Sequence, residues 1–178
     1  MSKFRSSKTI TTAAMLISIA VILGFFKIPV TQVIEIRFGS LPIAVAGSLL
    51  GPVIGGVVGA LSDILGYIVK PTGPFFPGFT FNSIVSGVIY GLMLKPDAEG
   101  NVSIKRIVLS KVICTVIVNM LLNTLWLSML YGNAFKALFF TRLPKELIML
   151  PINTILLIAV MKPIKKFKFL TDGQGAAN

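Results

Sequence analysis

The chain has 178 residues, of which 54% are hydrophobic and 13% charged, against about 25% charged residues in a soluble domain. Those figures and a mean hydropathy of +0.89 exclude an ordinary soluble domain, and apolar runs near the roughly 20 residues needed to cross hydrocarbon indicate an all-α integral membrane protein. The net charge of +11 would suggest a nucleic-acid partner in a soluble chain, but here the basic residues flank the apolar runs and no basic face interleaves with aromatic rings, so no such partner is expected.

The apolar runs lack the alternation of a transmembrane β-barrel. There is no His, and Cys114 is the only Cys. Disulfides within the chain, a zinc site of the usual nitrogen and sulfur type and a His-based triad are therefore excluded. No metal or cofactor is expected.

In chain order, the first span is about Thr9 to Phe26. It has the basic start of a secretory signal but no small-x-small cleavage site after it, and reads as a retained helix. Residues Lys27 to Ser40, with Pro29, Glu35 and Arg37, are too polar to cross. Leu41 to Val69 is apolar for longer than one span, and Gly51-Pro52 splits it into two short helices, since Pro suits the first position of a new helix. Pro71 to Phe79 reads as a rigid aromatic loop, its prolines and glycines being incompatible with regular helix, and a helix follows from about Thr80 to Leu94. Lys95 to Arg106 is a polar linker before a fifth span of about Ile107 to Leu130. Tyr131 to Pro144 is again mixed, and a sixth span covers about Lys145 to Val160. The expected organisation is one six-helix transmembrane domain over residues 1–170 and a disordered tail over 171–178.

Charge sets the orientation. With both termini cytoplasmic, eleven of the seventeen basic residues lie inside: Lys3, Arg5, Lys8, Lys95, Lys105, Arg106, Lys111, Lys162, Lys165, Lys166 and Lys168. Lys27, Arg37, Lys70, Lys136, Arg142 and Lys145 lie outside. The Pro/Phe loop and the segments holding Arg37 and Arg142 then share the outer face, an arrangement suited to capturing a ligand.

Gly47, Gly51, Gly55 and Gly59 recur every four residues, a spacing that lets helices approach closely in lipid. No Gly-Lys-Ser/Thr follows, so this is no phosphate loop. On the first helix Ala14 and Ser18, then Ala20 and Gly24, repeat the small-x-x-x-small spacing, which serves either internal packing or a flat surface for another membrane subunit. Asp63 lies within an apolar helix, where an acidic group at the bilayer centre costs at least about 2.5 kcal/mol. It must face the bundle interior or a wet cavity, either as a hydrogen bond between helices or as a carboxylate that polarises a ligand. Asn119 and Asn123 are a helical turn apart, with Trp126 three residues on. One face would then offer amides and a ring, useful as interhelical glue or against a flat heteroaromatic ligand. Phe75, Phe76, Phe79, Trp126 and Tyr131 are either interfacial aromatics or ligand contacts. Arg37 and Arg142 are outward cations whose planar fork matches carboxylates, although Arg142 and Glu146, four apart, can also pair with each other.

The residues Arg37-Phe38, Leu41-Pro42, Gly51-Pro52-x-x-Gly55, Asp63-x-x-Gly66, Pro71-x-Gly-Pro-Phe-Phe-Pro-Gly-Phe-Thr80, Asn123-Thr-Leu-Trp126, Tyr131-Gly132 and Leu143-Pro144 resemble the substrate-binding S component of energy-coupling factor (ECF) vitamin transporters. The resemblance runs from Thr9 to about Pro163, and the Phe-Phe-Pro-Gly-Phe-Thr and Asn-Thr-Leu-Trp stretches are similar to the folate subgroup. It implies a multi-pass protein of a prokaryotic plasma membrane that binds folate at the outer face. Delivery would run through a shared transmembrane coupling subunit and two ATPase subunits, with no reaction catalysed by the chain itself. The family's first helix resembles an Ala-x-x-x-Ala docking face, replaced here by Ala14-x-x-x-Ser18. The implied ligand contacts are Phe75, Phe76, Asn123, Trp126, Tyr131 and Asp63 for the pterin, and Arg37, Arg142 and Lys145 for the glutamate tail. Other vitamins remain alternatives on the same fold. Thiamine is cationic, which Arg at both ends opposes, and pantothenate has one carboxylate and no ring to stack. A lipid-directed enzyme built on Asp63 or Glu146 would lack a catalytic pair and an activated nucleophile.

Overall fold

The structure, a computed structural model, describes residues 7–25, 28–29, 35–36, 38–71, 75–97, 101–132 and 135–163. Seven α-helices dominate: α1 (Ser7–Phe25), α2 (Ser40–Leu50), α3 (Pro52–Val69), α4 (Pro77–Met93), α5 (Ile104–Cys114), α6 (Asn123–Tyr131) and α7 (Phe135–Met161). A π-helical stretch, Thr115–Leu122, joins α5 to α6 without a break, so the described residues form six continuous rods. Between α1 and α2 lies a minimal antiparallel pair, β1 (Ile28–Pro29) with β2 (Glu35–Ile36). The helical expectation thus holds apart from this pair, which falls in the segment too polar to cross.

Among the described residues four rods are long and apolar enough to cross a membrane: Ser7–Phe25, Pro52–Val69, Ile104–Leu130 and Phe135–Met161. Their outward faces carry Ile10, Met15, Ile68, Met129, Phe140 and Leu147, all exposed. Such a girdle is intolerable in water and natural in lipid. The expected tail at 171–178 lies outside the described residues.

The break between α2 and α3 falls at Gly51, whose φ of 93° is open only to glycine without strain, and Pro52 supplies the first residue of α3. Of the two short helices expected there, α2 is short. With 18 residues, α3 is about 27 Å long at 1.5 Å per residue.

Two further boundaries correct the sequence reading. Pro77, Gly78 and Phe79 belong to α4 rather than to the loop, because a proline in the first turn loses no helical hydrogen bond. The last helix starts at Phe135 rather than Lys145 and runs through Pro144 and Pro151. These prolines are seven residues apart, about two turns, and both are exposed, so their rings lie on one outward side. Each removes one backbone bond while neighbouring rods hold the helix, as membrane helices tolerate.

The core has two centres. One gathers Ala44, Tyr90, Leu94, Ile107, Cys114, Val118, Leu157 and Met161 from α2, α4, α5, the π stretch and α7. The other packs Ala13, Leu16 and Ile17 of α1 on Ala46, Ile54 and Val58. The Ser48 hydroxyl donates to the Leu94 carbonyl at 2.6 Å, satisfying a group at the end of α4. The glycines join α2, α3 and α4 backbone to backbone: a Cβ at Gly47 would lie 2.8 Å from Gly91 N, and one at Gly55 2.7 Å from Gly47 Cα.

Lys111, counted above among the basic residues of the inner rim, is buried two turns into its rod. It lies within electrostatic reach of Glu146, which is also buried.

Candidate functional site

Where α3, the start of α4 and α6 meet, a wide-open cavity of about 730 Å³ is lined by Ile64, Phe75, Phe76, Pro77, Gly78, Thr80, Phe81, Ile84 and Trp126. That volume suits a small-molecule ligand. The wall is aromatic and nearly free of polar surface, since the Thr80 hydroxyl and the Trp126 indole N–H are both taken up by residues outside it.

Because Pro77 starts α4, Phe76 sits immediately before the helix in extended conformation (φ −131°, ψ 117°) and its ring reaches across to α6. Its centroid is 5.7 Å from that of Trp126, with the planes at 52°, and 5.8 Å from that of Phe79, edge to face. Phe75 leans on Tyr67 of α3 at 5.1 Å. These separations are typical of attractive aromatic pairs. Gly78 makes the approach possible, since a Cβ there would fall 2.6 Å from Trp126 Cδ2.

The Trp126 indole N–H donates to Asn82 Oδ1 at 3.0 Å. Asn82 was not among the residues singled out from the sequence. Its signal was available, as an amide within the apolar helix α4, but its partner is 44 positions away.

Asp63 Oδ2 accepts from the Thr80 hydroxyl at 2.8 Å, linking α3 to α4 directly behind the cavity wall. Of the two roles open to Asp63, this contact is the interhelical one. Thr80→Val should lower stability by about 1–3 kcal/mol, because it strands a half-buried carboxylate, whereas Asp63→Asn keeps an acceptor and should cost under about 1 kcal/mol. Thermal unfolding in detergent checks both.

Of the face expected from Asn119, Asn123 and Trp126, the last two remain three residues apart on α6, while Asn119 is directed to another neighbour. Asn119 lies in the π-helical stretch, whose wider winding abandons the α-helical register on which that face depended. Its Nδ2 donates to Glu146 Oε2 on α7 at 3.1 Å, while Trp126 turns to α4. Asn123 is half-buried, makes no side-chain hydrogen bond among the described residues and does not line the cavity.

Arg142 and Lys145 lie on α7, both half-buried, and neither reaches the cavity wall. Arg37 and the side chain of Tyr131 lie outside the described residues. On α1, Ala14 and Ser18 are exposed whereas Ala20 is buried. The Ser18 hydroxyl donates to the Ala14 carbonyl at 3.0 Å, so its polar group is satisfied within the helix and the surface there stays small and flat. Among the described residues no cluster of three or more His, Cys, Asp or Glu could hold a metal ion.

The family model described as "ECF transporter, substrate-specific component" matches residues 8–161. The chain belongs to the ECF substrate-specific components. Among relatives of this ECF component, the folate transporter FolT of Clostridium novyi (strain NT) is 41% identical over 157 residues, covering 88% of this chain and 90% of the relative. The riboflavin transporter RibU of Staphylococcus aureus (strain TCH60) is 27% identical, with 74% and 71% covered. A crystal structure of FolT bound with folic acid superposes with a TM-score of 0.79 at 31% identity, covering 88% of this chain and 94% of that one. The S component of a bacterial ECF transporter, at TM-score 0.67 and 23% identity, shares the fold. These relatives are transporter components rather than enzymes, and the ECF component is likewise a substrate-binding membrane subunit.

Proposed function

We propose that the chain captures folate at the outer face of a prokaryotic plasma membrane, with both termini cytoplasmic and all six rods within the bilayer. The observation that carries this reading is the ring pair Phe76 and Trp126 on a cavity of ligand size, in a chain 41% identical to a folate transporter. A pterin is flat and π-rich, and stacking on aromatic side chains contributes about 1–3 kcal/mol per base-like ring. Phe75 extends the same wall, and Asn123, Asp63 and Tyr131 are the donors and acceptors assigned to the pterin's edge. The glutamate tail carries two carboxylates, which oppose binding by several kcal/mol if desolvated without partners. Arg37, Arg142 and Lys145 are the cations assigned to them.

Delivery then rests on a transmembrane coupling subunit and two ATPase subunits, with the Ala14 and Ser18 face of α1 as the docking surface. Small residues let helices approach closely where lipid offers no hydrophobic drive. Ser18→Trp should therefore leave folate affinity within about twofold while cutting uptake into cells by about tenfold or more, since a large ring on that face separates the helices.

Equilibrium binding of labelled folate to the purified chain, with pantothenate and thiamine as competitors, tests the ligand. Folate should bind and neither competitor should displace it. Displacement by pantothenate or thiamine, or no folate binding at all, would reassign the site.

A further inference from the structure

Trp126 is held at three points. Its N–H is fixed by Asn82 Oδ1 at 3.0 Å, its Cδ2 edge lies over the bare backbone of Gly78, and the Phe76 ring leans on it at 5.7 Å. Two of these contacts are apolar and would tolerate rotation of the indole. Only the hydrogen bond to Asn82 has a required direction. Asn82 is itself buried, with 8% of its surface exposed, and is not part of the cavity wall.

We propose that Asn82 is a positioning residue that sets the plane of the Trp126 ring, and thereby makes the cavity selective for flat ring systems. The proposal rests on the reading of this cavity as the folate site. An indole N–H left without an acceptor in an apolar interior seeks another partner. An acceptor placed anywhere other than at Asn82 Oδ1 would draw the ring out of its present plane. With Asn82 in place the N–H is satisfied on the side away from the cavity, and the π-face stays available as a wall.

Trp126 is the only tryptophan in the chain, so its fluorescence reports the ring directly and without any ligand. In the ligand-free protein, Asn82→Leu should move the emission maximum and increase quenching by acrylamide, while Asn82→Asp, which retains an acceptor oxygen, should keep the wild-type spectrum. Folate affinity, read by equilibrium binding, should fall about tenfold in Asn82→Leu, the scale of one lost buried hydrogen bond. In a Trp126→Phe background the same replacement should cost less than about twofold further, because the partner it acts through is gone.

An unchanged emission spectrum in Asn82→Leu would overturn the proposal, as would an equal loss of affinity in both backgrounds, which would make Asn82 a direct ligand contact. Absence of folate binding by the wild-type chain would instead remove the folate reading, and the ligand-free spectra would still decide whether Asn82 sets the ring.

Discussion

Gly87→Ala should destabilise the protein by about 3 kcal/mol or more, the upper end of what overpacking costs in a close-packed interior. The added methyl would coincide with the carbonyl of Gly55, a backbone group of α3 that has no rotamer to yield. Gly55 and Gly47 occupy the same junction: a Cβ at Gly55 would sit 2.8 Å from Gly87 O, and one at Gly47 2.9 Å from it. Relief therefore requires α2, α3 and α4 to separate together. In lipid that separation forfeits the close van der Waals contact that holds small-residue junctions, and no hydrophobic term compensates. Gly24→Ala and Gly66→Ala are the matched controls. Neither would meet anything within 4 Å, so each should be neutral or stabilising by about 0.5–1 kcal/mol through reduced backbone entropy of the unfolded chain. Thermal unfolding of the three variants in the same detergent separates the junction from glycine content as such.

Trp126→Ala should weaken folate binding by about tenfold to a hundredfold, corresponding to roughly 1–3 kcal/mol of stacking. It removes the α6 ring from the cavity wall and leaves Phe76 with Phe79 as its ring neighbour. Phe140→Ala removes a ring that is 71% exposed on the outward face of α7, and should leave affinity unchanged. Equal losses from the two replacements would mean that aromatic content or overall folding, rather than this wall, governs binding.

Much of the architecture was legible because membrane helices obey local rules. The long apolar runs fix most of the rods, and Gly51-Pro52 marks the break between α2 and α3, since one residue permits the turn and the next starts a helix. Two boundaries were misplaced, the loop being carried through Pro77 to Phe79 and the last helix being started after Pro144. Pro77 is harmless in a first turn, and Pro144 and Pro151 are carried by a long helix held by its neighbours.

The candidate site was partly legible. Phe75, Phe76 and Trp126 stand out as rings in or after the Pro/Phe loop, and they meet on one cavity. Asn119 could not be placed, because the π-helical winding over Thr115–Leu122 breaks the α-helical period and no residue type announces it. Asn82 could not be paired with Trp126 from sequence spacing, since only the crossing of α4 and α6 brings them together. Lys111 looked like an interfacial cation in a count of basic residues, yet its depth is set by where α5 begins.

The most direct measurement is a structure of this chain with folate bound. The pterin is expected beside Phe76 and Trp126, with the glutamate carboxylates directed toward Arg142 and Lys145. A pterin lodged away from these rings, with the cavity between α3, α4 and α6 left to lipid, would contradict it.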